Sequence, residues 1–304
     1  MSDDPFVAHR GLLFTVAYEM LGSAADAEDV VQETWLRWAS TDRAEVRDPR
    51  SYLVRIVTMQ ALNRLRSRKR RREDYVGEWL PEPLLVGPEV AEDVELAESI
   101  SMAMLTVLET LGPTERAVFV LREVFDTPYD EIAAVVGKTP AAVRQIAHRA
   151  REHVAARRPR MQVTRAEQEE VIGRFLRALA DGDVQGLVEV LAPDVAVVPD
   201  GGGVVRALRV PLVGIEPVVR ALSGFAKRAG AGTAVSPMWI NGGPAARIDI
   251  DGVLDTAISF VVEDGRITRI YAVRNPHKLT QLREEKQVTL QRRGCSDQSS
   301  STAV

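Results

Sequence analysis

Apolar positions recur with helical period through the first half of the chain. Residues 6–40 lay out two helices, the first carrying Leu12, Leu13, Val16, Ala17 and Met20 on its apolar side. The second is "SAADAEDVVQETWLRWAS", with Ser23 as its cap and Asp26, Glu28 and Asp29 in the first turn, where the helix dipole favours acids. Val30, Val31, Thr34, Trp35 and Trp38 supply its buried side. After "DPRS" a third helix is predicted from residue 51 to about residue 70. Leu53, Ile56, Val57, Ala61 and Leu65 face inward there, which leaves Arg55, Met59, Asn63 and Arg66 on another face.

A tighter pattern follows in "PYDEIAAVVGKTPAAVRQIAHRAREHV". Residues 128–136 read as a short helix with Ile132, Val135 and Val136 on its apolar side, and Gly137 suits the left-handed position that ends it. Thr139 is the next N-cap and Pro140 the first helical residue, where a missing N–H costs nothing. Val143, Ile146, Ala147, Ala150 and Val154 then form an inward face. Small Ala133 at the crossing, Gly137 at the turn and Val143 in the angle make a helix-turn-helix. Arg144, Gln145, His148, Arg149 and Arg151 are left on outward or flanking positions and, with Thr139, are candidate DNA contacts, since Arg can fork to guanine and Gln to adenine while the others can reach phosphates.

Residues 165–279 change character to α+β. "RAEQEEVIGRFLRALADGD" is an amphipathic helix with Val171, Phe175, Leu176 and Leu179 inside, and "VQGLVEVLAP" and "EPVVRALSGFAKRAG" give two more. β-rich runs predict strands at 195–198, 204–213, 234–240, 246–250, 256–262 and 266–273. Residues 280–304 turn polar and Ser-rich, so a disordered tail is expected.

Charge changes the picture more than composition does. The net charge is −4, yet residues 43–72 hold eleven bases against Glu45 and Asp48, with seven of the nine positions 64–72 basic. Residues 137–160 carry seven bases against Glu152, while residues 73–109 hold ten acids and no Lys or Arg. Two basic blocks split by an acidic connector suit two surfaces for a polyanion. Solvated helix faces are the alternative for either block taken alone. The single cysteine, Cys295, forbids an intrachain disulfide. Neither a signal peptide nor a long apolar run is evident, so a cytoplasmic protein without membrane contact is expected.

These residues carry a family likeness. "DAEDVVQETWLRW" resembles the core-polymerase-binding helix of bacterial sigma factors, and "SYLVRIVTMQALNRLRSRKRR" the helix that engages the minus-10 element. "LETLGPTERAVFVLREVFDTPYDEIAAVVGKTPAAVRQIAHRARE" resembles region 4, which reads minus-35 DNA. The short form resembles the extracytoplasmic-function subgroup. "WLPEP" at 79–83, "DGGG" at 200–203 and "NPHKL" at 275–279 are similar to motifs of its members with a SnoaL-like carboxy-terminal domain. Val204 and His277 stand where that subgroup more often has Lys and Asp.

The resemblance implies a multidomain chain. Sigma region 2 spans 1–72, an acidic linker 73–97, region 4 98–160, a SnoaL-like regulatory domain 165–279, and a tail 280–304. It assigns core-polymerase binding to Asp26, Asp29, Gln32 and Glu33, and minus-10 binding to Arg55, Asn63, Arg66, Arg68 and Arg70. Interdomain regulation falls to Trp79, Leu80 and Pro81, to Asp200, Gly201, Gly202 and Gly203, and to Asn275, Pro276, Lys278 and Leu279. Two all-α domains and an α+β cone are expected, with core RNA polymerase and double-stranded and melted promoter DNA as partners. An unknown small-molecule ligand in the carboxy-terminal domain is a further possibility. No cofactor, metal or catalytic residue is expected. Asp249, Asp251 and Asp255 are the residues that would serve an acid/base reaction, and a turn position is their bland explanation. Two other functions remain open: a helix-turn-helix regulator with a ligand-sensing domain, and a SnoaL-like isomerase or hydrolase fused to a DNA-binding segment. The acidic 26–33 helix speaks against the regulator, which needs no polymerase dock.

Overall fold

The computed structural model describes residues 4–72, 75–86, 93–158, 163–205, 207–284 and 287–291, without the side chains of 68–72 and 287. In chain order the helices are α1 (Pro5–Leu21), α2 (Ala24–Ala39) and α3 (Pro49–Arg72), followed by strand β1 (Leu85–Val86). Next come α4 (Val94–Ser99), α5 (Met102–Leu108), α6 (Pro113–Phe119) with a π-turn at Val120–Val124, α7 (Tyr129–Val136) and α8 (Pro140–Ala155). The second half runs α9 (Arg165–Asp181), α10 (Val184–Val190), β2 (Leu191–Asp200), β3 (Leu212–Val213), α11 (Ile215–Arg228), β4 (Thr233–Ile240), β5 (Gly243–Ile250), β6 (Val253–Glu263) and β7 (Arg266–Val273). A short α12 (Thr280–Arg283) and β8 (Gln287–Val288) close it. The chain divides into two units, Met1–Lys69 with Leu108–Ala156 and Thr289–Val304, and Arg70–Val107 with Arg157–Val288.

The first unit is helical. Asp4 caps α1, accepting from the Phe6 N–H and from the Trp38 indole N–H, each at 2.9 Å. Leu12, Leu13, Val16, Ala17 and Met20 are fully buried, as their spacing requires. Trp38 is buried as expected, but Trp35 is 38% exposed, and its ring leans on Phe6 with centroids 5.0 Å apart. Trp38 takes the buried side, where its indole N–H reaches Asp4. Arg116 of α6 is 2% exposed and donates through Nε and Nη2 to the Glu19 carbonyl at 2.9 and 2.7 Å, with Nη1 on Glu109. Glu19 lies in the last turn of α1, where carbonyls lack intrahelical donors and a cation suits the dipole.

The second unit is built on a six-stranded sheet of order β3-β2-β7-β6-β5-β4, in which β2 and β7 run parallel and the other neighbours antiparallel. Strand side chains alternate between faces. Ala246, Ile248, Ile258, Val262 and Ile270 pack with Phe175 and Leu179 of α9 and Val218 of α11, which makes one core. Ala245, Ala257, Val261, Tyr271 and Val273 face the other way and pack with Leu80, Met102 and Ala103. Helices on one face of a mixed sheet give the α+β domain expected of a SnoaL-like chain. Leu80 of the acidic connector and the first residues of α5 supply the cover for the other face.

Two expectations fail in this unit. The strand expected at 204–213 survives only as Leu212–Val213; residues 202–205 turn, with Gly202 and Gly203 at φ +60° and +72°, and Val204, Leu208 and Val210 are exposed. β-branched composition suggested a strand, but the glycines turn the chain first and Pro211 removes a ladder donor. The tail expected to be disordered at 280–304 is described at 280–284, where α12 buries Leu282 at 3% exposure, and at 287–291, where β8 pairs parallel with β1. Isolated apolar anchors in a polar run leave little signal in composition. Residues 292–304 lie outside the described residues.

Candidate nucleic-acid interface and connector clamp

The helix-turn-helix is built as its residues require. Gly137 ends α7 at φ +68°, Thr139 caps α8 by accepting from the Ala142 N–H at 3.2 Å, and Val143 is fully buried between the two helices. The inward face of α8 buries Ile146, Ala147, Ala150 and Val154, which leaves Arg144, Gln145, His148 and Arg149 exposed. The Arg122 and Arg144 guanidinium carbons stand 4.9 and 5.6 Å from the Tyr129 ring centroid, a cation–π contact that holds Arg144 near α7. Arg151 is spent differently. It forks to Glu123 at 2.8 and 3.2 Å, and that carboxylate raises its pKa above the ordinary arginine value. His148 lies 3.5 Å from Glu152.

On α3, Arg55, Asn63 and Arg66 are exposed, while the side chains of Arg68 and Arg70 lie outside the described residues. Arg64, the first residue of the basic run, turns back onto α2. Its Nη2 reaches Asp26 at 2.9 Å and Asp29 at 2.5 Å, and its Nη1 reaches Glu33 at 3.5 Å. The Gln60 amide donates to Glu33 at 3.0 Å. Asp26, Asp29 and Glu33 are therefore brought together on one guanidinium, with Gln32 exposed beside them. Trp35 and the 67%-exposed Leu36 follow on the same helix. Nothing in the linear sequence distinguishes Arg64 from its basic neighbours; its partners lie 31 to 38 positions away.

In the second unit the three short motifs converge. Asp200 is fully buried at the end of β2. Its carboxylate accepts from the Tyr75 hydroxyl at 2.6 Å, the Leu80 N–H at 2.8 Å, the Gly202 N–H at 3.1 Å and the Lys278 ammonium at 2.6 Å. Lys278 also donates to the Leu80 carbonyl at 2.5 Å and lies over the Trp79 ring at 4.0 Å. Burying an ion pair is favourable only where the remaining lone pairs and protons are satisfied. Here four donors satisfy the carboxylate, and the lysine has a carboxylate, a carbonyl and a ring.

The surrounding residues hold that network in place. The Asp200 carbonyl accepts from the N–H groups of Arg274 and Asn275 at 2.7 and 3.0 Å. Asn275 donates from Nδ2 to the Tyr75 oxygen at 3.0 Å and caps the turn at Pro276–Lys278. At Gly202 a side chain would collide with Asn275, and at Gly203 it would press on Val76, so the chain can pass there only as glycine. An added Cβ at Gly201 would meet Ala207. Pro81 and Leu279 are buried. Two participants escaped the sequence reading. Tyr75 lies outside "WLPEP", and Asn241 at the β4–β5 turn exchanges two bonds of 2.9 Å with the Leu84 backbone while donating to the Ile100 carbonyl at 2.8 Å.

The three aspartates considered for acid/base chemistry have other duties. Asp249 forks to Arg247 at 2.7 and 2.8 Å, and Asp251 occupies a turn at φ +52°. Asp255 forks to Arg274 at 2.9 and 3.0 Å and accepts from Thr256 at 2.6 Å. Burial works to raise its pKa, but these bonds and the charges of Arg274 and Arg283 outweigh it and hold the pKa low. Among the described residues no helix is long and apolar enough to cross a membrane.

Residues 6–71 match the family model for sigma-70 region 2, and residues 101–154 match that for sigma-70 region 4. The chain is 38% identical to the ECF RNA polymerase sigma factor SigJ of Mycobacterium tuberculosis strain H37Rv, over 92% of this chain and 94% of that protein. It is 32% identical to the probable ECF RNA polymerase sigma factor SigI of the same species, over 91% and 94%. The crystal structure of M. tuberculosis extracytoplasmic function sigma factor SigJ matches with a TM-score of 0.75 at 36% identity, covering 90% of this chain and 97% of that one. Helical regions 2 and 4 followed by an α+β domain extend over nearly the full length of both. The chain belongs to the extracytoplasmic-function sigma factors, the alternative sigma factors that direct bacterial RNA polymerase to promoters.

Proposed function

We propose that the carboxy-terminal domain regulates this sigma factor in cis, gripping the connector and so setting the spacing between the minus-10 and minus-35 binding regions. The observation that carries this reading is the Asp200–Lys278 pair, which holds both the N–H and the carbonyl of connector residue Leu80. Ionic bonds to a single linker peptide resist sliding, whereas packing of Trp79 and Leu80 alone would not.

The roles of the other residues follow the same proposal. Arg144, Gln145 and Arg149 read minus-35 bases and phosphates, with Thr139 and His148 at the flanks; their exposure on one side of α8 supports this. Arg55, Asn63 and Arg66 on α3, continued by Arg68 and Arg70, serve the minus-10 region, chiefly through phosphates. Asp26, Asp29, Gln32 and Glu33 form the polymerase dock. The exposed Leu36 and half-exposed Trp35 on the same helix suit a protein partner, and Arg64 holds the carboxylates in register. The chain acts in the cytoplasm, where the polymerase is, and catalyses no reaction of its own.

Single-round run-off transcription with core polymerase, on templates differing in the spacer between the two promoter elements, tests the grip. The parent protein has a sharp spacer preference, and Lys278→Met flattens it at equal polymerase occupancy. An unchanged spacer preference in the variant overturns the proposal.

A further inference from the structure

A cavity of about 290 Å³ lies at the tip of the β4–β5 hairpin. Its walls come from the connector (Ala97), the start of region 4 (Met102), the first turns of α9 (Arg165, Gln168) and strand β6 (Ser259, Phe260), with Trp239 at the end of β4. Strand register explains the space. The last β5–β6 pair at this end is Ala245 with Ser259, although β5 begins at Gly243 and β6 continues to Glu263. The two strands therefore part beyond that pair, and Gly242, Gly243 and Pro244 are too small to fill the gap. The hairpin tip cannot simply be filled by substitution, because a side chain at Gly242 would collide with Ala97 of α4. The space borders the core between sheet and helices, since Phe260 in its wall packs against Phe175 with ring centroids 5.3 Å apart.

The lining is apolar with a few polar groups set into it, the usual composition of a small-molecule site. Phe260, Met102 and Trp239 offer flat or flexible apolar surface. Ser259 is 9% exposed, and its hydroxyl finds no hydrogen-bond partner among the described residues. The half-buried Gln168 amide finds none either. The Arg165 guanidinium carbon stands 4.0 Å from the Trp239 ring centroid and pairs with Glu169 at 3.2 Å on the exposed side. A stacked guanidinium beside an amide donor is suited to a planar anion.

We propose that this cavity binds a small aromatic carboxylate. The ring lies against Trp239, Phe260 and Met102, the carboxylate meets Arg165 and Gln168, and Ser259 donates to a second polar atom of the ligand. Since α4 and α5 form one wall, the bound molecule adds contacts between connector and sheet and favours the gripped state. That consequence rests on the proposed grip; the binding itself does not.

The test uses the full-length protein and 8-anilinonaphthalene-1-sulfonate, an aromatic anion whose sulfonate stands in for the carboxylate. Dye fluorescence rises to saturation at one site per chain, and 2-naphthoate displaces the dye. Arg165→Ala and Gln168→Trp, the second closing the mouth, each weaken dye binding at least tenfold, and Ser259→Val weakens it severalfold. Unshifted thermal transitions show that the variants are folded. Absence of saturable binding, or affinities within twofold of the parent in all three variants, overturns the site. Failure of 2-naphthoate to displace the dye overturns the carboxylate class. Saturating 2-naphthoate slows hydrogen exchange at the Leu80 amide. Unchanged exchange, with displacement intact, overturns the coupling to the grip and leaves the site standing.

Discussion

Replacing Lys278 by Met preserves most of the side chain's length and volume while removing its charge. In the parent, the ammonium meets Asp200 at 2.6 Å, the Leu80 carbonyl at 2.5 Å and the Trp79 ring at 4.0 Å. Removing one partner of a buried ion pair costs about 3–5 kcal/mol, because the other charge stays buried. Asp200 keeps three donors, from Tyr75, Leu80 and Gly202, which places the loss near the lower end, about 3 kcal/mol. At 1.4 kcal/mol per decade, the connector should open roughly a hundredfold more often. Native-state hydrogen exchange at the Leu80 amide reads that opening, since this N–H donates to Asp200. Protection at Leu80 should fall by about two decades, while protection in the helix-turn-helix stays unchanged. Lys227→Met on the exposed end of α11 serves as the control and should leave both untouched. Leu80 protection within threefold of the parent in Lys278→Met refutes the reasoning, because Lys278 would then be a bystander.

Three further outcomes are expected. Arg144→Ala weakens binding to minus-35 DNA by ~1–3 kcal/mol in fluorescence anisotropy, as for one good base pairing, and unchanged affinity removes Arg144 from the interface. Gly202→Ala lowers the melting temperature of the carboxy-terminal domain more than Gly252→Ala does. Both glycines have positive φ, but only at Gly202 does an added methyl meet a neighbour, Asn275. Asp255 has its pKa held below the ordinary aspartate value, so its contribution to stability is present above the usual carboxylate range and is lost as pH falls through the lowered pKa. Asp255→Asn should therefore melt earlier than the parent at neutral pH, with the gap closing in acid.

Local signals made the helical half readable. Ser23, Thr139 and Gly137 occupy the caps that their residue types announce, and the inward faces of α1, α3 and α8 follow the apolar period. The three motifs around Trp79, Asp200 and Lys278 were identifiable by resemblance, and they meet. What stayed hidden is long-range and polar. Tyr75 reaches Asp200 across 125 positions, and Leu84 reaches Asn241 across 157. Arg64 leaves the basic run for three acids on another helix. A hydrogen-bond partner far along the chain has no period to reveal it. The loop at 202–205 misled for the opposite reason, since valines signalled a strand that the preceding glycines prevent.

Whether the carboxy-terminal domain sets the spacing of the two DNA-binding regions is tested most directly by distance measurement. Spin labels are placed on exposed positions of α3 and α8 in the full-length chain, and pulsed dipolar spectroscopy compares the parent with Trp79→Ala. Truncating Trp79 removes the ring over which Lys278 lies and loosens the connector. The expected result is a distance distribution that broadens and shifts to longer values in the variant. A distribution identical to the parent's contradicts the grip.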